Sequence, residues 1–194
     1  MIVIQIAQTL DESRKEEHAA IECCQNLGKG LTIAEITKER IRRAGAKIKE
    51  QTATSAPGLD VGFRVLKIDV STMEDVYYRP EDLKQADLLG HLDNIRADRT
   101  PEDLLFHCLV DWGIGLDLPI VQETIQGKTV FFVDGTGLVA CFDPGVTEEL
   151  VKELAARKPM RVVFRDSSYA SDAVKINIEQ IFRSLSPGTE VRGI

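Results

Sequence analysis

Apolar and polar positions change period several times along the chain, and each change marks a different element. The first ten residues, MIVIQIAQTL, hold Ile2, Val3, Ile4 and Ile6 in a run broken only by Gln5. Such a run without alternation predicts a strand at residues 2–6, buried on both faces of a parallel sheet. A polar helical stretch follows, DESRKEEHAAIECCQNLGKG, closed by Gly28 and Gly30. In TIAEITKERIRRAGAKIKE, Ile33, Ile36, Ala44 and Ile48 recur at helical spacing, with Ile41 close by. Thr32 and Glu35 have the T-x-x-E spacing of a capping box, so a helix is predicted over 33–50, its last turns weakened by Gly45. TATSAPGLD (52–60) is small and polar and contains Pro57-Gly58, the best domain boundary in the chain.

Beyond the boundary, GFRVLKIDV (62–70) alternates and predicts a strand. RPEDLKQADLLGHLDNI predicts a helix with Pro80 in its first turn. TPEDLLFHCLVDWG predicts a second helix, packed on the first, with Leu104, Leu105, Cys108, Leu109 and Trp112 on one face. The period then falls to two. PIVQETI and KTVFFVD flank Gln126-Gly127, a tight hairpin turn. DGTG (134–137) is a second turn, before the strand GLVACF. Thr147 caps a helix whose core face is Leu150, Val151 and Leu154. MRVVFRD is a strand, and Ser171 caps a helix with Val174, Ile178, Ile181 and Leu185 at i, i+4, i+7 and i+11. Ser186-Pro187-Gly188 stops that helix, and TEVRGI is a last strand. The order after the boundary is β, α, α, β, β, β, α, β, α, β, an α/β (α+β) pattern whose natural form is a mixed sheet with surface helices.

Composition excludes more than it assigns. The chain has 194 residues, 43 % hydrophobic and 28 % charged, which suits an ordinary globular protein. No apolar stretch approaches the roughly 20 residues of a membrane helix, and the start lacks the pattern of a secretory signal, so a soluble, cytoplasmic protein is expected. Cys23, Cys24, Cys108 and Cys141 form no C-x-x-C pair, and His18, His91 and His107 have no second ligand at i+3 or i+4, so no metal site is expected. The net charge of −7 is uneven. Residues 1–56 carry 9 Lys and Arg against 8 Asp and Glu, a net of +1; residues 57–194 carry 15 against 23, a net of −8. The later region suits a protein partner better than nucleic acid.

Three stretches hold candidate chemistry. In FRDSSYASD, Asp166 and Ser167 follow a strand, with Ser168, Ser171 and Asp172 close behind, where α/β folds place active groups; the same residues are ordinary turn and cap formers. Asp143 in ACFDPG stands at another strand end, where Asp-Pro also starts turns. No base or ligand set accompanies either aspartate. Third, Lys38, Arg40, Arg42, Arg43, Lys47 and Lys49 fall within twelve residues, opposed by Glu39 alone. Five of them, Lys38, Arg40, Arg42, Arg43 and Lys47, are the candidate DNA contacts, since such a helix can track phosphates. A solvated outer helix face explains the same charges, and no aromatic residue is interleaved for base stacking.

The blocks IVIQIAQTLDESRKEEHAA, TIAEITKERIRRAGAKIKE, GFRVLKIDVSTMEDVYY, DLLFHCLVDWGIGLDLPI and VACFDPGVTEELVKELAARKPMRVVFRDSSYASDAVKINIEQIF resemble, in this order, the C-terminal part of the modification (Mod) subunit of type III restriction–modification systems. That subunit is an adenine-specific DNA methyltransferase using S-adenosylmethionine. The resemblance implies that residues 1–52 are the C-terminal remnant of a Rossmann-like catalytic domain and residues 60–194 a Mod C-terminal assembly domain. It places the first strand just after the family's cofactor loop, as the orphan of a sheet encoded upstream. The family's D-P-P-Y and F-x-G-x-G motifs are absent here. Ile6-Ala7-Gln8 stands where an acidic residue for the ribose hydroxyls is usual. The expectation is therefore no catalytic or cofactor-binding residue in this chain and no methyl transfer by it alone. The implied partners are a second copy of the chain, with residues 1–10 either at the interface or packed against the C-terminal domain, and the restriction (Res) subunit. A DNA-contacting module using helix 32–50 is the alternative, and an enzyme centred on Asp143 or Asp166 a third reading.

Overall fold

The computed structural model describes residues 3–6, 8–74, 94–169 and 171–194. The chain divides into two compact units, Met1–Lys67 and Ile68–Ile194. The Pro57-Gly58 stretch lies inside the first.

The first unit is built on two helices, α1 (His18–Asn26) and α2 (Ile33–Gln51). A short 3-10 turn, Lys15–Glu17, leads into α1. Thr32 caps α2 as its sequence predicts, its hydroxyl accepting from the Glu35 N–H at 3.4 Å. The reciprocal half of the box is not made, because the Glu35 carboxylate bonds Lys38. A miniature antiparallel pairing joins the two ends of the helical hairpin: Thr9 bridges Thr32, and the Leu10 N–H donates to the Leu31 C=O at 2.8 Å. Leu10, Ile21 and Cys24 are the buried core, with Ala20, Leu31 and Ile36 packed against them.

Two predicted strands do not form here. Residues 3–6 make no ladder; Ile4 is 88 % and Ile6 82 % exposed. Residues 62–67 are likewise irregular, as are Ile68 and Asp69 across the unit boundary, where Ile68 is fully exposed. Both stretches have strand composition. A strand is stable only when its N–H and C=O groups find a second strand, and among the described residues neither stretch is given one. Residues 61–65 instead run along α2. Gly45 is buried there, and a Cβ on it would stand 3.1 Å from the Val61 Cβ. The glycine that weakens the helix locally is what lets the following segment close on it.

The second unit is a five-stranded mixed sheet in the order β1-β2-β3-β4-β5, with helices on both faces. Its strands are β1 (Ile120–Ile125), β2 (Lys128–Val133), β3 (Leu138–Cys141), β4 (Arg161–Phe164) and β5 (Glu190–Gly193). The helices are α3 (Pro101–Asp111), α4 (Glu148–Ala156) and α5 (Asp172–Leu185). Strands β1, β2 and β3 are antiparallel, while β3, β4 and β5 are parallel. The parallel pairs need crossovers, which α4 and α5 supply. Gln126 and Gly127 both take positive φ, 51° and 75°, as a two-residue hairpin turn requires.

Each sheet face has its own core. Leu150, Val151 and Leu154 of α4 and Val174, Ile178 and Phe182 of α5 pack on Val130, Phe132, Val139, Val162 and Phe164. Leu104, Leu105, Cys108 and Leu109 of α3 pack on Phe131, Val133, Leu138, Ala140 and Val163. Burial on both faces explains the unbroken apolar runs LVAC and RVVF. One core position differs from the sequence reading: Phe182 is buried, whereas Leu185, at the end of α5, is 45 % exposed. The four helix caps at Thr32, Thr100, Thr147 and Ser171 are all present. The predicted helix beginning at Pro80 lies almost wholly outside the described residues. Its last two residues, Asn94 and Ile95, are not helical: Met73 bridges Ile95 in a short antiparallel pairing, and the Glu74 N–H donates to the Asn94 C=O at 2.7 Å.

Candidate functional site

Helical phase sorts the basic residues of α2 into two opposed sets. Arg40, Arg43 and Lys47 stand at i, i+3 and i+7 and share one line of the helix. Lys38, Arg42 and Lys49 share roughly the opposite line. The five DNA-contact candidates therefore do not form one patch.

The second set is largely engaged within its own unit. Lys38 bonds Glu35, and that pairing holds the Glu35 carboxyl below its usual range. The Arg42 guanidinium stacks over the Phe63 ring at 5.8 Å and reaches Glu39 at 3.7 Å. Arg42, Ala46 and Lys49 line an open cleft of about 480 Å³ with Val61, Gly62, Phe63 and Val65. Sequence reading missed this cleft. Its one local signal was Gly45 on a helix face that otherwise carried charge.

The first set is freer. Arg43 is held by Glu39 at 2.7 Å. Arg40 and Lys47 are exposed, and neither has an ion pair among the described residues. From Arg40 to Lys47 the line runs about 10 Å, at 1.5 Å per residue. That length suits a few phosphates and no more.

The two aspartates are tied into the backbone. Asp143 accepts from the Thr129 N–H at 2.6 Å, while Lys128 Nζ donates to the Pro144 C=O at 2.5 Å. The loop after β3 is thereby clamped to the start of β2. Asp166 donates its N–H to the Ile194 C=O at 2.9 Å, and its carboxylate pairs with Lys175 at 3.4 Å. Ser168 is buried and donates its hydroxyl to the Arg165 C=O at 2.6 Å. Ser171 caps α5, its Oγ accepting from the Val174 N–H at 3.4 Å. The Asp172 side chain lies outside the described residues. The structure thus brings the FRDSSYASD residues together as a turn and a cap.

Burial also raises the pKa of two of the four cysteine thiols and of one tyrosine hydroxyl. It pushes the Cys108 thiol up to about 12, with Asp111 adding to the effect, and the Cys141 thiol up to about 11. Neither is a thiolate at neutral pH. Burial pushes the Tyr169 hydroxyl up to about 12, and Asp166 adds to it. Thr72 Oγ1 and His107 Nδ1 lie 2.6 Å apart, a pair that a sequence separation of 35 hides from sequence reading. Among the described residues no group of three or more His, Cys, Asp or Glu side chains is placed to hold a metal ion, and no helix is long and apolar enough to cross a membrane.

No family model matches the chain, and no curated protein matches it significantly.

Proposed function

We propose that this chain is a C-terminal assembly region of a type III modification subunit: a cytoplasmic module that joins copies of itself and receives the restriction subunit, without carrying out methyl transfer. Residues 1–52 correspond, in this reading, to the tail of the methyltransferase domain, and S-adenosylmethionine is bound by parts of the enzyme outside this sequence. The resemblance supplies the family. The observation that weighs against an enzyme centred on Asp143 or Asp166 is that the first carboxylate accepts a backbone N–H and the second pairs with a surface lysine. The acidic balance of residues 57–194 fits a protein partner.

The test is retention. Immobilised chain should hold back the restriction subunit of a type III system, and should bind S-adenosylmethionine no more tightly than a millimolar Kd in titration calorimetry. Failure to retain the subunit, or low-micromolar cofactor binding, would overturn the reading. The open line Arg40, Arg43 and Lys47 favours a second reading, a DNA contact. With two or three phosphates neutralised, log K would fall with log salt at a slope of about −2 to −3. A slope near zero would dismiss it.

A further inference from the structure

The sheet of the second unit has two edges, and they are built differently. Strand β5 is four residues, EVRG, and it is guarded by charge. Arg192 Nη2 pairs with Glu190 at 2.7 Å and the Arg192 guanidinium stacks over Trp112 at 4.9 Å, while Arg161 also reaches Glu190. Charge and shortness are the usual protections of an edge. Strand β1 is six residues, IVQETI, without lysine, proline or bulge. Its one charge, Glu123, is neutralised by Arg157 at 2.8 Å.

The phase of the β1–β2 ladder says which backbone groups that edge presents. Pro119 C=O accepts from the Asp134 N–H at 2.9 Å. In an antiparallel pair the bonded positions alternate, so 119, 121, 123 and 125 turn toward β2. Ile120, Gln122 and Thr124 then turn their N–H and C=O groups outward, and among the described residues nothing accepts or donates to them. Gln122 and Thr124 are exposed, and Val121 is 54 % exposed beside them.

We propose that β1 pairs with β1 of a second copy of this chain, antiparallel about a two-fold axis through Gln122, making one continuous sheet across the dimer. Register singles out this arrangement. Outward groups must meet outward groups, so even positions pair with even ones. Pairing Gln122 with itself sets Ile120 against Thr124 and gives about six new backbone hydrogen bonds. A shift by two in either direction gives about four. One of those shifts also sets Glu123 directly against Glu123, a like-charge clash. In the favoured register Glu123 faces Val121, whose exposed side chain it covers. The pairing is isologous and closed, so it stops at two copies. The inference rests on the assembly reading above and names its interface.

Light scattering on the full chain tests it. The wild type should be a dimer in the micromolar range. Gln122→Lys places two like charges on the axis and should weaken association at least tenfold. Gln122→Pro removes an outward N–H that β2 does not use and should do the same. Both should leave the circular dichroism spectrum unchanged, and Gln122→Lys keeps the test valid if the proline variant fails to fold. Register is read by cysteine pairing: Val121→Cys mixed with Glu123→Cys should form a disulfide-linked dimer on mild oxidation, and Val121→Cys alone should not. A wild type monomeric at about 100 μM, far above the nanomolar range of tight complexes, would overturn the pairing, as would a Gln122→Lys variant that stays dimeric. Efficient linking of Val121→Cys alone would overturn the register. A monomeric wild type that still retains the restriction subunit would sink the edge pairing and the self-association, and leave the subunit-docking part of the assembly reading standing. A dimer broken by Gln122→Lys with no subunit retained would do the reverse.

Discussion

The two units contain similar kinds of sequence and reach different ends. Both have strand-like apolar runs, residues 2–6 in one and LVAC and RVVF in the other. In the second unit each run finds neighbours on both sides and helices on both faces, and its apolar side chains are fully buried. In the first, the described part of the run finds neither and is exposed. Apolar composition specifies a demand for burial, and only a partner strand satisfies it. The core of the first unit is correspondingly small, Leu10, Ile21 and Cys24, in a piece of 67 residues. A core of that size supplies little stability on its own.

The sharpest way to break this contrast is to remove a large side chain from each unit. Phe164 is fully buried between β3, β5 and the α4–α5 layer. Phe164→Ala should cost about 3–5 kcal/mol in urea unfolding followed by circular dichroism. Ile48 of α2 is 47 % exposed, and Ile48→Ala should change stability by about 0.5 kcal/mol or less. Comparable losses at the two sites would mean that Ile48 is covered, and the picture of an open first unit would be wrong.

Next in size is the contact at Gly45. Val61 already stands close to where a Cβ would sit, so Gly45→Leu would overpack the helix and drive residues 61–65 away. An overpacking cost of about 1–3 kcal/mol is expected. Limited proteolysis should then cut faster within 57–66. An unchanged cleavage rate would show that the segment is not held by this contact.

Within the second unit, Asp143 is expected to matter through one bond. Asp143→Ala leaves the Thr129 N–H, partly buried at the start of β2, without its acceptor. The loss should be about 1–3 kcal/mol, the desolvation cost of an unsatisfied group. The hairpin amides near Thr129 should lose hydrogen-exchange protection first. Protection unchanged there would mean the loop clamp is not made in solution.

Much of this was readable from local signals. The caps at Thr32, Thr100, Thr147 and Ser171 were each marked by a hydroxyl one residue before a periodic run, and the hairpin by Gln-Gly between two alternating segments. What failed was non-local. The strand at 62–70 alternates correctly, but alternation cannot say whether a ladder partner exists. Leu185 and Phe182 both lie near the apolar stripe of α5, and only the end of the helix before Pro187 decides that the phenylalanine goes inside. At the candidate site both the density of charge and its division are legible in residue spacing, which puts Arg40, Arg43 and Lys47 on one line and Lys38 and Arg42 on another. The cleft beside Arg42 depends on a segment about twenty residues further on, and the pairing of Thr72 with His107 on a fold contact, so beyond Gly45 neither carried a local mark.

The smallest effect expected separates two helix starts that look alike in sequence. Thr100 and Asp103 complete a capping box at α3: the Asp103 N–H donates to Thr100 Oγ1 at 3.2 Å, and the Thr100 N–H donates to Asp103 Oδ2 at 2.9 Å. The bonds from the Thr100 backbone and hydroxyl hold the Asp103 carboxyl below its usual range. Thr32 and Glu35 make only half of such a box, and the Glu35 carboxyl is lowered chiefly by Lys38 instead. Thr100→Ala should therefore cost about 1 kcal/mol at neutral pH, somewhat more than Thr32→Ala. The pH dependence has a definite sign. A carboxyl whose folded pKa is depressed contributes stability that is fully present above its unfolded pKa of about 3.9 and is lost as pH falls through the lower folded value. Asp103→Asn should lower the melting temperature at pH 7 and have progressively less effect below about pH 4, because the wild-type side chain protonates as pH falls through its lowered folded value. Melting curves of both proteins at pH 7 and pH 3 make the comparison. A gap that stays constant across that range would show that the carboxylate's charge contributes nothing at this cap, and that the hydrogen bonds alone distinguish α3 from α2.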